Sequence, residues 1–99
     1  MSFRVRISPA AQQDLERLLD FLAPVDYATA LRARAAIERG YGLLADMPFA
    51  CRKVDEDNPF LRELVIPFGS AGYVALFEID DEHTLTIVAV RHRREDDFH

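Results

Sequence analysis

The chain is poor in the groups that would let it do thiol or metal chemistry, and poorer still in anything that would carry it into a membrane. Cys51 is the only cysteine in 99 residues, which excludes an internal disulfide and a thiolate metal cluster. A lone thiol becomes a nucleophile only with a base and an orienting group around it. Arg52 and Lys53 follow Cys51 directly and would lower its pKa, but an incidental small residue is the simpler reading. No apolar run approaches the roughly 18 residues of a membrane span. The opening Met1–Ile7 alternates arginine with apolar bulk and so lacks the h-region of a secretory signal; the expected location is the cytoplasm. Positive charge is also short, with 12 Lys and Arg against 17 Asp and Glu and a net charge of −5. Affinity for nucleic acid comes largely from counterions released at basic surfaces, so this deficit argues against sequence-specific DNA binding by the chain alone. His83, His92 and His99 lie nine and seven residues apart, not at the spacing of a helical metal-binding pair. A Walker-type loop, a nucleophile elbow and a glycine-rich dinucleotide fingerprint are all missing. Neither cofactor nor metal is expected.

What is present describes one domain spanning residues 1–99, since two cores would each be marginal at this length. Phe3, Val5 and Ile7 alternate with Arg4 and Arg6 and read as a first strand. Ser8-Pro9 then starts a helix, because serine is a favoured cap and proline at the first helical position has no N–H to leave unpaired. Ala11, Leu15, Leu18, Leu19 and Leu22 follow at helical spacing, and Pro24 ends the segment. Asp26 caps a second helix with an inner stripe of Ala30, Ala33, Ile37, Tyr41 and Leu44. Residues 9–23 and 26–47 are thus predicted to form an antiparallel helical hairpin. Residues 48–60, with two prolines and the acidic run Asp55-Glu56-Asp57, read as a loop. Strands follow at 61–66, 73–79 and 85–90, separated by turn-forming sequences. The expected fold is α+β in the order β-α-α-β-β-β, a helical hairpin packed on an antiparallel β-sheet.

The sheet carries apolar residues on both faces. Tyr73, Ala75, Phe77 and Ile79 alternate with Val74 and Leu76, whereas a strand solvated on one face should read as polar there. Two helices cover one face only, so an apolar groove is expected on the other for a segment of a partner chain. Sheet curvature or the 48–60 segment would absorb the same area equally well.

The end of the last strand, Val90-Arg91-His92-Arg93-Arg94, precedes Glu95-Asp96-Asp97-Phe98-His99. One reading is a solvated tail whose charges pair among themselves. In the other, Arg93 and Arg94 contact phosphate or carboxylate and His92 titrates near neutrality. Arg62 sits in an apolar strand and needs a partner, for which Glu78 or an acid in 55–57 is expected.

Val5-Arg6-Ile7-Ser8-Pro9-Ala10-Ala11 with Asp14-Leu15, the helical hairpin, Leu61-Arg62-Glu63-Leu64, Tyr73–Phe77 and Ala89–Asp96 together resemble the RelE/ParE superfamily of type II toxin–antitoxin toxins over nearly the whole chain. That resemblance implies a cognate antitoxin as partner and either DNA gyrase or the ribosome as target. In the RelE-like branch, a ribosome-dependent mRNA endoribonuclease, catalytic roles would fall on Arg62, Arg91, His92 and Arg93, with Arg52 and Lys53 as accessory cations. Such cleavage needs an acid, a base and charge stabilisation at phosphorus. Phe98 stands near where many such nucleases carry a tyrosine, and the chain is acidic. The resemblance therefore favours the ParE-like branch, a gyrase poison without enzyme activity of its own, over a nuclease or a degenerate non-toxic binding partner. Arg91, His92, Arg93, Arg94, Phe98, Tyr73 and Phe77 form the expected target- and partner-binding set.

Overall fold

A computed structural model describes residues 2–96, without the side chains of Glu95 and Asp96. β1 (Arg4–Ile7) leads into α1 (Pro9–Leu22) and α2 (Tyr27–Leu44). A turn of 3₁₀ helix at Pro48–Ala50 precedes β2 (Arg52–Asp55), β3 (Asn58–Ile66), β4 (Tyr73–Ile79) and β5 (Thr84–His92), and a short α3 (Arg93–Asp96) closes the described chain. Both helices begin as the sequence predicts. The Ser8 hydroxyl accepts from the Ala11 N–H with Pro9 at the first helical position, and the Asp26 carboxylate accepts from the Thr29 N–H and hydroxyl.

The helices lie on one face of the sheet. Ala11, Leu15, Leu18 and Leu19 of α1 and Ala33, Ala36, Ile37, Tyr41 and Leu44 of α2 form one buried core with Tyr73, Ala75, Phe77 and Ile79 of β4 and Leu85, Ile87 and Val90 of β5, and Ala30 of α2 is buried outside that cluster. Each large aliphatic chain so buried contributes about 1.5–3 kcal/mol. Gly40 lets α2 approach β3 closely: a Cβ there would lie 2.9 Å from the Ile66 side chain and 3.2 Å from that of Leu64.

The sheet departs from the expected antiparallel meander at both edges. Its strand order is β1-β5-β4-β3-β2, and β1 pairs with β5 in parallel. The cause is β2, a strand inside the segment expected to be a loop. Arg52–Asp55 is exposed throughout and has one apolar residue, so it carries no hydrophobic alternation. Pairing with β3 makes it a strand, through a tight turn in which the Asp55 carboxylate accepts the Asp57 N–H. Adding one strand to an alternating series reverses the direction of the last one. β5 therefore returns alongside β1, and the sheet is mixed.

Beyond Ile87, β1 no longer flanks β5, and α1 takes over. The Ser8 N–H donates to the Ile87 carbonyl at 2.9 Å, and the Ser8 hydroxyl reaches the Val88 carbonyl. The Asp14 carboxylate accepts the Val90 N–H at 3.0 Å. Leu76 pairs with Ala89 but Phe77 with Ile87, which makes Val88 a bulge. Asp14 thus satisfies a backbone donor exposed where the ladder is interrupted.

The far face of the sheet is less apolar than the strands suggested. Register places Val74 beside Val65 and Arg91, Leu76 between Glu63 and Ala89, and Glu78 between Leu61 and Thr86. Arg4 and Arg6 flank Thr84 and Thr86 at one side, and an Arg52–Glu63 ion pair crosses the other. Charged side chains frame a narrow apolar strip. Most large exposed apolar side chains lie elsewhere, with Phe21, Val25, Tyr27 and Leu31 around the helical turn and Met47, Phe49 and Phe60 near the sheet's opposite end, while Ile7 and Val54 are exposed on the two edge strands and Leu43 on α2. The groove expected across the sheet face is replaced by these two patches.

Candidate target- and partner-binding groove

Tyr73 begins β4 directly opposite His92, the last residue of β5. Their rings meet edge to face at 5.7 Å, and Phe68 tilts against the other side of Tyr73 at 5.9 Å. Gly72, at φ +92°, sets the turn into β4, and its carbonyl accepts the Arg93 N–H at 3.0 Å. This bond ties the start of α3 to the turn. The C-terminal half of α1 supplies the other wall through Arg17, Leu18, Phe21 and Leu22. Together with Asp20 and Arg94 they line an open groove of about 760 Å³.

The chemistry of the groove is that of a contact surface. The Arg94 N–H donates to His92 Nδ1 at 3.1 Å, so that nitrogen is engaged as an acceptor. Tyr73 is buried, and desolvation pushes its hydroxyl above the usual phenol range. Phe21, by contrast, is 78% exposed. Apolar walls on which Arg17 and Arg94 outnumber the one acid, Asp20, suit a polypeptide that carries both apolar and acidic groups.

The remaining sequence candidates are dispersed. Phe77 is wholly buried beneath the helices, because its alternation faces the core, and it is not available to a partner. Arg91 faces the other side of the sheet, beside Val74. Arg62 pairs with Phe77, four strand positions or about 13 Å from the Tyr73 end. Its partners are neither Glu78 nor the acids at 55–57. The guanidinium donates to the carbonyls of Pro59 (2.8 Å), Phe49 (3.0 Å) and Cys51 (2.7 Å) and stacks over the Phe49 ring at 5.2 Å. Arg62 thereby pins the 48–51 segment to the sheet. Arg52 is engaged with Glu63, and Lys53 lies on the exposed edge strand opposite Arg62. The Cys51 thiol is raised, not lowered: burial outweighs the charge of Arg62. Phe98 lies outside the described residues. No cluster of three or more His, Cys, Asp or Glu among the described residues is arranged to hold a metal, and no described helix is long and apolar enough to cross a membrane.

Sequence reasoning missed Phe21, Phe68 and Arg17 as parts of the groove. Phe21 gave a signal, since it lies off the apolar stripe of α1 and an aromatic there has no core to enter. Phe68 and Arg17 depend on how the β3–β4 turn folds against α1, which no local pattern encodes.

Relatives share this architecture. A chromosomal ParDE toxin–antitoxin system from P. aeruginosa superimposes with a TM-score of 0.73 at 16% identity, covering 92% of this chain and 96% of that one. The toxin–antitoxin complex RelBE2 from Mycobacterium tuberculosis superimposes at 0.60 with 27% identity, covering 94% and 100%. In sequence, Toxin RelE1 of Caulobacter vibrioides is 33% identical over 79 residues, which is 80% of this chain and 82% of that protein. Residues 5–97 match the family described as the ParE toxin of the type II toxin–antitoxin system parDE. The α1-buttressed sheet, the helical hairpin and this match over nearly the whole sequence make the chain a member of the ParE toxin family of type II toxin–antitoxin systems.

Proposed function

We propose that this protein is the toxin of a type II pair that poisons DNA gyrase by docking on it through the Tyr73–His92–Arg94 groove, and that a cognate antitoxin silences it by covering that groove and the adjoining helical turn. One observation carries the reading: the groove has apolar walls and cations, while the groups a nuclease would need are committed or apart. Arg62 is occupied by three backbone carbonyls and His92 Nδ1 by a backbone N–H. An inhibitor that works by occupancy needs no acid–base pair. The antitoxin part is supported by Phe21, exposed in the groove, and by Val25, Tyr27 and Leu31, exposed in the helical turn and the start of α2, which a segment that folds on binding would cover. Both structural relatives are toxin–antitoxin systems.

The test uses the purified full chain with gyrase and relaxed plasmid. Supercoiling should be inhibited by the wild-type chain, and inhibition should weaken in Phe21→Ser and Arg94→Glu. Normal supercoiling at large molar excess, together with mRNA cleavage in a translation extract that His92→Ala and Arg93→Ala abolish, would replace this reading with the ribonuclease one.

A further inference from the structure

A second concave site lies at the other end of β4. Ile79 ends the strand six residues after Tyr73, about 20 Å from the groove. There Phe3, Phe49 and Phe60 form the floor of an open pocket of about 480 Å³, and the β4–β5 turn residues Asp80, Asp81 and Glu82 form its rim. Phe3 and Phe49 meet edge to face at 6.4 Å, while Phe49 and Phe60 are each 51% exposed. Exposed phenylalanines beneath a row of three carboxylates make a surface that is apolar below and anionic above.

The structure assigns this pocket to an arginine-bearing segment of a partner polypeptide, with the guanidinium stacked on the phenylalanine rings and paired with the acidic turn. The ring cluster already accepts one guanidinium, that of Arg62 over Phe49. A planar, weakly hydrated cation suits both an aromatic face and a carboxylate better than an ammonium does. The turn is built to hold its shape. Asp80 accepts from the Thr86 hydroxyl at 2.6 Å and Asp81 from the His83 N–H at 2.8 Å, while Glu82 has no hydrogen bond or ion pair among the described residues. Arg62 lies over Phe49, and Arg4 and Arg6 of β1 stand in register with Thr84 and Thr86 beside the turn; with Asp80 and Asp81 bonded within the turn, Glu82 is the rim carboxylate left for an incoming cation. The chain's net charge of −5 adds a long-range attraction for cations. This inference is independent of how the groove acts, because the two sites sit at opposite ends of one strand.

The test is fluorescence anisotropy of the full chain with a labelled hexapeptide of alternating leucine and arginine, compared with the same peptide carrying citrulline, which keeps the shape and loses the charge. The arginine peptide should bind about tenfold more tightly than the citrulline one, and added salt should weaken it. Phe60→Ser should weaken binding by about tenfold and Glu82→Gln severalfold, while Phe21→Ser in the distant groove should not change it. Both altered pocket residues are exposed, so the variants should fold. Equal affinity for citrulline, indifference to Phe60→Ser and Glu82→Gln, or loss on Phe21→Ser alone would each overturn the assignment.

Discussion

Replacing Arg62 with alanine separates a structural role from a catalytic one. The guanidinium donates to three carbonyls and lies over Phe49. Of the three bonds, the one to Cys51 is part-buried and the other two are exposed. A charge-assisted bond in a part-buried site is worth about 1.5–2 kcal/mol, and exposed ones about 0.5 kcal/mol each because water replaces them. Stacking on an exposed ring adds about 0.5 kcal/mol. Arg62→Ala should therefore cost about 3 kcal/mol, which in a domain of this size lowers Tm by roughly 10–20 °C. Arg62→Lys keeps the charge but offers a point donor that cannot span three carbonyls, so it should recover about a third of the loss. Urea and thermal unfolding of the three proteins give the comparison. A loss below about 0.5 kcal/mol for Arg62→Ala, as expected of an ordinary surface arginine, would refute the clasp. So would a stable variant that has lost its effect on the target, since Arg62 would then be acting on that target directly.

Three further outcomes follow from individual residues. Gly42→Ala should stabilise by up to about 1 kcal/mol, because nothing lies within 4 Å of the added Cβ and helix propensity improves; Gly40→Ala should destabilise by about 1–2 kcal/mol as the Cβ meets Ile66 at 2.9 Å. Opposite signs in urea denaturation, two positions apart on one helix, are the check. Tyr41→Phe should be neutral or stabilising by about 1 kcal/mol, since the buried Tyr41 hydroxyl has no hydrogen-bond partner among the described residues. The same burial, aided by Asp14, pushes Tyr41 up from 10.0 to about 12. The buried phenolate is penalised, so stability is unaffected by this group below pH 10 and falls as pH rises from there through about 12, and Tyr41→Phe should flatten the alkaline limb of a stability–pH curve. Asp26 is held below the usual carboxylate range mainly by the Thr29 hydroxyl and N–H. The stability it adds is present above pH 3.8 and lost on acidification through its lower folded value, and Asp26→Asn should remove that portion of the acid transition.

The helices, the three long strands and the core stripe were legible because each has a strong local signal. Ser8-Pro9 and Asp26 cap as read, and Ala30, Ala33, Ile37, Tyr41 and Leu44 are all buried. β2 was not legible. Its four exposed residues become a strand only because β3 offers an edge, and with that strand missing the parity of the sheet is wrong and β1 is misdirected. The same gap hid the partners of Arg62, because the carbonyls of Phe49 and Cys51 are presented by the 3₁₀ turn that precedes β2. Of the residues that line the groove, His92 and Arg94 stand out in sequence as part of the basic end of the last strand, and Tyr73 as the aromatic that opens β4. Phe77 was not excluded, because alternation shows that two faces exist without saying which one the helices take. The apolar excess on the far face is smaller than alternation suggests for a related reason: besides Glu78, which alternation places there, the cross-strand neighbours Glu63 and Arg91 frame it, and only register shows them.

The order of events after induction in cells lacking the antitoxin tests docking against cleavage most directly. A DNA-damage reporter and pulse-labelled protein synthesis would be followed in the same culture. Docking on gyrase through the groove should raise the reporter while synthesis continues, and Phe21→Ser should delay that rise. An immediate halt in synthesis with a silent reporter, relieved by Arg93→Ala, would contradict it.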